Sequence, residues 1–466
     1  MILLLWAAVC FALLVVDWCC WAPNRLDADM ASEQLLANLL TQEGGVMSTS
    51  WYYSTELRVL NTQLVMAPLF RLFTSWHTVR VVGSVVLILL YLAAWFWFGR
   101  SAKLKYSGLL GAGLLMLPYG ALYRQYVLEG LYYIPHITIS FVVLGCAVRI
   151  LRGGRRLAPA AGMVLFSFAA ALGGPRQLFI LNIPLTVAAA LLCWLDAPPA
   201  DTLRQKLANA WRTPGGALLV PTLAADAAAL AGYLVNAKVL AEKYHFQDQG
   251  YVAFTGLNLD RLQWFANALL ASFGWQEGKV FSLAALFNLA AAALILFCFV
   301  FSVRLVRGKA RYPLGHRLVG AFFLAGAVCF ALLYGLTNSG HSDRYLLPLA
   351  ILFVPLLEIM LADCTPLHRP DARGLTALLA AILLLRAGTD YRAAAVATNP
   401  NQGAAQFLVQ NGYRDGYASF WDGNVMTELT DGTLNVWTLT PNSVPELRPW
   451  LQVTSHLQTP PQGKIF

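Results

Sequence analysis

Three acidic residues near the N-terminus have types and spacing that could support chemistry. Asp27 and Asp29 open the amphipathic segment DMASEQLLANLL, and Glu33 lies one helical turn after Asp29 on the same predicted face. Carboxylates placed in this way serve as a general base or as ligands, and Asp27 and Asp29 are the candidates for holding a divalent cation if one binds. In the structural alternative they only cap the helix and complement its dipole.

A second candidate cluster lies in the segment GHSDRYLLPL. His341, Asp343, Arg344 and Tyr345 open a late apolar run at its polar end. Because a guanidinium stays charged and donates two parallel hydrogen bonds, Arg344 is suited to bind phosphate, with His341 and Tyr345 beside it. The alternative is an interfacial cluster with a snorkelling arginine and a tyrosine of the aromatic belt.

Two further polar positions interrupt apolar surroundings. The short turn GGPRQLF carries Arg176 and Gln177, which either contact phosphate or sugar or are solvated turn residues. Asp226 lies inside the run LLVPTLAADAAALAGYLV. A carboxylate in a membrane span usually faces a cavity or a partner, so we count Asp226 among the candidate substrate-binding residues.

The segment WYYSTELR is unusually aromatic for a polar loop. Tyr52 and Tyr53 could stack against sugar rings, with Glu56 as a hydrogen-bond acceptor. The same residues would equally suit an aromatic belt at the membrane interface.

The composition shows what kind of protein carries these residues. Of 466 residues 58% are hydrophobic and 12% are charged, whereas a soluble domain has about 25% charged residues. This excludes a soluble globular enzyme, a disordered chain and a disulfide scaffold. The net charge of +9 comes from basic residues clustered in short loops between apolar runs, which is typical of membrane topology signals and not of nucleic-acid binding.

Eleven apolar runs predict an all-α polytopic membrane bundle over residues 1–388. Each is near the roughly 20 residues that a bilayer requires. The runs begin at the N-terminal helix and continue at 79–98, 106–122, 133–150, 157–173, 178–195, 217–236, 281–303, 318–337, 345–362 and 374–388.

The loops between the runs predict the orientation. Lys and Arg concentrate in alternate loops, which are therefore expected to be cytoplasmic. The N-terminus is then cytoplasmic and the C-terminus external. The predicted outer segments are 17–78, 123–132, 174–177, 237–280, 338–344 and the tail from 389.

The outer segments have recognisable local patterns. Apolar spacing predicts two short amphipathic helices in 17–78 and one in 237–280, lying in the membrane interface. The tail 389–466 is polar and rich in turn residues. It predicts a small external α+β domain in the order helix (AAQFLVQNGY), strand (YASFW), turn, strand (TLNVWTLT).

This organisation resembles the GT-C superfamily of integral-membrane glycosyltransferases. DMASEQLLANLL is similar to the acidic-motif helix of the protein-mannosyltransferase and aminoarabinose-transferase relatives, and RYLLPL to the segment that opens one of their late helices. SWYYSTELRVLNTQLVMAPLF resembles a segment of uncharacterised GT-C-like membrane proteins from Firmicutes. The sequence departs from the family pattern at Met30, where a second acidic residue is expected.

The resemblance implies a bacterial plasma-membrane enzyme of the cell envelope. It would transfer a sugar from a polyprenyl-phosphate donor to a glycan or lipid acceptor at the outer leaflet, with inversion. Asp29 would be the base, Asp27 and Glu33 would orient the acceptor, and Arg344 and Arg176 would stabilise the leaving phosphate. Membrane lipids would be further partners.

Two other classes remain open at this stage. The first is a non-catalytic GT-C-like scaffold for surface-polymer assembly, which the departure at Met30 favours. The second is a lipid or glycan transporter that uses Asp226 and the outer arginines, although the sequence shows no pair of interrupted helices repeated between its halves.

Overall fold

The computed structural model describes residues 1–57, 59–104, 108–153, 156–246, 253–338, 342–363 and 369–466. Within this part of the chain nine helices are long and apolar enough to cross a membrane. They are Ile2–Cys20, Trp76–Ala102, Ile134–Leu151, Leu178–Asp196, Pro214–Lys243, Leu283–Arg307, Leu314–Leu336, Asp343–Asp363 and Pro370–Val396. They coincide with nine of the eleven predicted runs, and the prediction of a mainly helical, multi-pass membrane protein is confirmed.

The two other predicted runs form shorter helices. Residues 157–173 contain the apolar helix Leu157–Ala171, and residues 106–122 contain the helix Leu109–Leu115 and the start of Ala121–Tyr123. The second helix ends before Pro118, which lacks an amide hydrogen for a continuing helix. Its Gly113 lies against Trp6, where an added Cβ would come within 2.0 Å of the indole nitrogen. The short helix therefore packs inside the bundle.

Large aromatic side chains form the centre of the bundle. Tyr91, Trp95 and Phe98 lie on one face of Trp76–Ala102 and surround Phe141 of Ile134–Leu151, with ring centroids 5.3–6.0 Å apart. All four side chains are buried. Offset and edge-to-face contacts of this kind stabilise the packing beyond the burial of apolar area.

Residues 17–78, the segment predicted as the first outer loop, form the two predicted helices, Ala28–Glu43 and Gln63–Phe70. Asp27 caps the first of them, and Gly44 ends it with a positive φ of 80°. Buried polar side chains at Ser32, Glu33 and Gln34 show that this helix is covered by protein. It packs on Gln63–Phe70 and on the tail, so protein covers much of its surface.

Residues 237–280, the segment predicted as the second large outer loop, contain the predicted helix, Leu259–Ser272. Other short helices connect the spans or lie near the ends of the chain. They are Ala22–Arg25, Ala121–Tyr123 with Arg124–Glu129, Leu203–Trp211 and Thr454–Leu457.

The tail forms a small α+β unit that differs in order from the prediction. The last spanning helix, Arg369–Val396, runs past the predicted boundary at 388, and Gln402–Gln410 is the expected tail helix. Strands β2 (Asp415–Ser419) and β3 (Asn435–Leu439) pair in parallel. The helix Phe420–Leu429 connects them, where a turn was predicted.

The tail is joined to the bundle through buried polar contacts and a strand pair. Strand β1 (Trp51–Tyr52) of the first outer loop pairs antiparallel with β4 (Gln452–Val453) of the tail. Arg80 donates to both carboxylate oxygens of Glu428 at 2.6 Å. The tail is therefore docked on the first outer loop and on a spanning helix.

Candidate active site

A cavity of about 640 Å³ lies between the first outer loop, the ends of several spanning helices and the tail. Its walls come from five segments that the sequence predicts on the same side of the membrane. Six residues selected from the sequence line it: Asp27, Asp29, Glu56, Arg176, Arg344 and Tyr345. A volume of this size is typical of pockets that bind small molecules.

Asp27 is fixed by hydrogen bonds on both carboxylate oxygens. Its Oδ1 accepts from the Met30 amide at 2.8 Å, and its Oδ2 accepts from Gln125 Nε2 at 2.7 Å. Burial raises the pKa of the Asp27 carboxyl above its ordinary value, and the two hydrogen bonds oppose this shift. Asp27 therefore acts as the helix cap and as an anchor for the Gln125 loop.

Asp29 is the less restrained carboxylate of the pair. It lies in the first turn of Ala28–Glu43, and its side chain is 26% exposed. Its Oδ2 lies 3.7 Å from Arg344 Nη1, which is an ion-pair contact longer than a hydrogen bond. The carboxylate therefore lines the cavity beside a cation, with oxygens that can still accept a hydrogen bond.

Arg344 lies at the start of the span Asp343–Asp363, next to the cavity. Its guanidinium lies 5.2 Å from the ring centroid of Tyr126, in a cation–π contact. Its Nε atom is buried without a hydrogen-bond partner among the described residues. The ring contact orients the guanidinium, and the unpaired Nε is a donor that remains free.

Arg176 is held more tightly than Arg344. Its Nη2 lies 2.9 Å from Glu56 Oε1, and its guanidinium lies 5.2 and 5.0 Å from the rings of Tyr133 and Tyr345. Burial alone would lower the pKa of Arg176, but the charge and hydrogen bond of Glu56 together with Tyr133 and Tyr345 outweigh it, and the net direction is upward. The side chain therefore stays charged in a position defined by three neighbours.

Tyrosines of the 124–133 loop form one wall of the cavity. Tyr126, Tyr132 and Tyr133 all line it, and the hydroxyls of Tyr132 and Tyr133 have no hydrogen-bond partner among the described residues. Leu131 has a positive φ of 65°, which turns the chain between these rings. None of these tyrosines is among the candidates selected from the sequence. Three tyrosines within eight residues were the available signal.

The tail contributes another wall of the cavity, and its residues are not among those selected from the sequence. Phe420, Trp421, Arg448 and Trp450 line the cavity. The Arg448 guanidinium lies 4.8 Å from the Phe420 ring and 5.3 Å from the Trp450 ring. The aromatic pairs FW and RPW in an otherwise polar tail were the available signal.

Glu33, Gln177 and Asp226 do not line the cavity. Glu33 is buried and accepts a hydrogen bond from the Thr62 hydroxyl. Gln177 is buried behind His136, with its Oε1 3.1 Å from His136 Nδ1. Asp226 accepts from Thr186 Oγ1 at 2.6 Å, between two spanning helices. The expectation that Asp29 and Glu33 share one carboxylate site is therefore not met.

The two tyrosines proposed to stack on sugars also lie elsewhere. Tyr52 is in β1, with its ring centroid 5.0 Å from that of His245. Tyr53 is buried, and its hydroxyl accepts from the Ser48 amide at 3.0 Å. His341 lies outside the described residues.

The described part of the chain contains no group of three or more His, Cys, Asp and Glu side chains arranged to hold a metal ion. Asp27 and Asp29 are the acidic pair that the sequence selects. Because both oxygens of Asp27 already accept hydrogen bonds, this pair offers few free ligand atoms. The donor set therefore fits a divalent cation poorly.

Comparison with known proteins gives similarity only at the level of three-dimensional structure. No protein-family model and no curated protein sequence matches the chain. Crystal structures of the Archaeoglobus fulgidus oligosaccharyltransferase are similar, with a TM-score of 0.49 and 13% identity for the complex with zinc and sulfate. The apo form gives 0.49 and 12%, and the form tethered to an acceptor peptide gives 0.46 and 12%.

These alignments cover 92–93% of this chain. They cover 62–64% of the archaeal protein, so this chain spans less than two thirds of its length. TM-scores and identities this low do not assign a family or an activity to the chain, and they single out no lineage among the proteins that its motifs resemble.

Proposed function

We propose that the chain is a membrane glycosyltransferase that moves a sugar from a polyprenyl-phosphate donor to an acceptor hydroxyl. The observation that carries this proposal is the contact between Asp29 and Arg344 inside one cavity. It places a candidate base beside a candidate phosphate-binding cation. The motif resemblance to GT-C enzymes supports the same conclusion from the sequence.

Asp29 is the better base of the two lining aspartates. A general base must be within hydrogen-bond reach of the hydroxyl and must have a free oxygen. Both Asp27 oxygens accept hydrogen bonds, whereas the contact of Asp29 with Arg344 at 3.7 Å leaves its oxygens accessible. Asp27 then has a positioning role through Gln125.

Arg344 and Arg176 are the proposed cations for the leaving phosphate. Fixed donors that face the site of developing charge stabilise a transition state more than mobile ones, because they need no reorganisation. Both guanidinium groups are oriented by aromatic rings, and Arg176 is also oriented by Glu56. Tyr345 lies against Arg176 and completes this side of the cavity.

The proposed reaction is a single displacement. Asp29 takes the proton of the acceptor hydroxyl while the oxygen of that hydroxyl forms a bond to the anomeric carbon. The bond from that carbon to the phosphate oxygen breaks, and the electron pair leaves with the polyprenyl phosphate. Attack from the face opposite the leaving group inverts the anomeric configuration.

The proposed location is the outer face of a bacterial plasma membrane, with the N-terminus in the cytoplasm and the tail outside. The charge distribution of the loops supports this orientation. Five segments predicted to be external line the cavity, together with adjoining ends of predicted spans that carry Tyr133, Ala170 and Tyr345. The polyprenyl chain of the donor would remain in the lipid next to the spanning helices.

The proposed reaction uses no metal ion. A phosphate already leaves readily, and three arginine side chains lie around the cavity. The two hydrogen bonds to Asp27 hold its carboxylate in place, which disfavours its movement towards Asp29 as a second ligand. Chelation therefore provides a direct test of this part of the proposal.

Turnover in proteoliposomes tests the proposed function. We would supply radiolabelled polyprenyl-phosphate sugars with membrane glycans and lipids as acceptors, and compare wild type with Asp29→Asn and Arg344→Ala. Label transfer is expected in wild type, with a loss of about 100-fold or more in each variant. Asp260→Asn is the matched control, because Asp260 lies in the first turn of another outer helix and is exposed.

Three results would contradict parts of the proposal. Transfer that survives Asp29→Asn in a folded protein would remove Asp29 as the base. Equal loss in Asp260→Asn would show that the assay reports damage to the outer region and not chemistry. Absence of transfer by folded wild type across the common donors would favour a scaffold or a transporter.

A further inference from the structure

The tail wall of the cavity contains an arginine that differs from the other two in its charge partners. Salt bridges connect Arg176 to Glu56 and Arg344 to Asp29. Arg448 forms no salt bridge with a described carboxylate, and its guanidinium contacts the rings of Phe420 and Trp450. It is therefore the least neutralised cation in the cavity.

The surroundings of Arg448 make this free charge costly. A partly buried cation loses hydration, and rings replace that hydration only in part. Consistent with this, burial lowers the pKa of Arg448, and the charge of Asp29 opposes the shift. An anionic ligand group would supply the missing partner.

The position of Arg448 indicates which substrate carries that group. Arg176 and Arg344 belong to the spanning bundle, whereas Arg448 and Trp450 belong to the tail. Asp29 lies close enough to Arg448 for their charges to interact. A substrate whose hydroxyl reaches Asp29 would place its neighbouring groups against Arg448 and the tail rings.

We propose that Arg448, with Phe420 and Trp450, binds an anionic group of the acceptor. The acceptor would be a saccharide that carries a carboxylate or a phosphate near the reacting hydroxyl. The aromatic rings contact the apolar face of the sugar, and the guanidinium pairs with the anion through charge-assisted hydrogen bonds. This inference rests on the proposed function, because it takes the hydroxyl at Asp29 to belong to the acceptor.

Binding of small saccharides to the full chain in detergent tests the proposal without any donor. Saturation-transfer NMR would compare methyl β-D-glucuronide and glucose 6-phosphate with the neutral methyl β-D-glucoside. Wild type is expected to bind at least one anionic probe more tightly than the glucoside. Arg448→Gln is expected to weaken that probe about tenfold and to leave the glucoside unchanged, which is the size of one charge-assisted hydrogen bond.

Two variants and one further ligand sharpen the result. Arg448→Lys retains the charge and is expected to keep part of the preference. Arg414→Gln is the matched control, because Arg414 is an exposed arginine of the same tail. Citronellyl phosphate, a short polyprenyl phosphate, represents the donor, and its affinity is expected to be unchanged in Arg448→Gln.

The outcomes separate this inference from the proposed function. Equal binding of the charged and neutral probes by wild type, or no detectable binding of either anionic probe, would overturn it even if Arg448→Gln failed to fold. A loss of citronellyl phosphate in Arg448→Gln, with glucuronide and glucose 6-phosphate unaffected, would move Arg448 to the donor and also overturn it. Sugar transfer in proteoliposomes is measured separately from these three binding outcomes.

Discussion

Arg80 and Glu428 form a two-point salt bridge that connects a spanning helix with the tail. Both guanidinium-to-carboxylate contacts are 2.6 Å, and both side chains are buried. Arg80 Nη2 also donates to the Met30 carbonyl at 2.9 Å, in the turn that follows Asp29. The same arginine therefore contacts the tail, the spanning bundle and the helix that carries the candidate base.

Removal of one partner of this salt bridge is expected to loosen the tail. Glu428→Gln leaves the buried charge of Arg80 without its counter-ion, a change that typically costs about 3–5 kcal/mol. Limited proteolysis in detergent should then cut the tail faster than in wild type, and the melting temperature should fall. The double variant Arg80→Met with Glu428→Leu should recover part of the loss, since no unpaired charge remains. Unchanged proteolysis of Glu428→Gln would show that other contacts dock the tail.

Replacement of Arg176 by lysine tests geometry at constant charge. Lysine cannot contact Glu56 and the rings of Tyr133 and Tyr345 with a planar group. We expect the rate of sugar transfer from a polyprenyl-phosphate donor to fall about tenfold or more, as for the loss of one charge-assisted hydrogen bond. Initial rates against donor concentration measure this. Wild-type rates in Arg176→Lys would show that only the charge matters.

Acidic pH is expected to destabilise the tail through His456. This side chain is buried, stacks on Trp437 at 4.1 Å, and has its pKa lowered by burial to about 4. Because the folded-state pKa lies below the ordinary value of 6.5, the folded state favours neutral His456. The contribution of neutral His456 to the free energy of unfolding is complete above about pH 6.5. It is lost as the pH falls towards 4, and the loss amounts to roughly 2–3 kcal/mol.

Hydrogen exchange of the tail at pH 7 and pH 4.5 measures this effect. Exchange, corrected for its intrinsic pH dependence, should rise at the lower pH in wild type and should change less in His456→Gln. A variant that responds to acid as strongly as wild type would assign the response to other groups.

Chelation is expected to leave sugar transfer unchanged. The cations around the cavity are arginines, and each oxygen of Asp27 already accepts a hydrogen bond that holds the carboxylate in place. Initial rates with and without EDTA, after dialysis, measure this. A loss of activity that Mg²⁺ or Mn²⁺ restores would contradict the proposal of a metal-free reaction.

The sequence predicts well those features that depend on local pattern. Apolar runs located the long spanning helices. Asp27 and Asp29, just before and at the start of DMASEQLLANLL, located a helix that Asp27 caps. Four residues selected in three predicted outer segments line one cavity: Asp29, Glu56, Arg176 and Arg344. They could be chosen because polar groups of these types are rare in so apolar a chain.

Glu33 shows where local pattern is insufficient. It lies one turn after Asp29, as expected, but at that turn the helix is covered and Glu33 meets Thr62 of the segment before Gln63–Phe70. Two residues on the same face of a helix can therefore have different neighbours. Only the tertiary contacts decide which of them reaches the cavity.

The tail helix Phe420–Leu429 shows a different failure. Tyr, Phe and Trp favour strands, so YASFW was predicted as one strand. In the structure Ser419 donates to Asp422 at 2.6 Å and the helix begins at Phe420. The Ser-x-x-Asp spacing resembles a helix-start motif and was the overlooked signal. The presence of Arg448 and Asp29 in one cavity could not be predicted, because no local pattern relates such distant segments.

The pairing of β1 with β4 has a consequence for the order of events during synthesis. Trp51 and Tyr52 are made early, whereas Gln452 and Val453 follow all the spanning helices described above. The side chains of the tail wall can close over the cavity only after this late segment has been made and has paired with its early partner. A nascent chain would therefore carry Asp29, Arg176 and Arg344 long before it could enclose a substrate, and competence would be acquired in one final docking event.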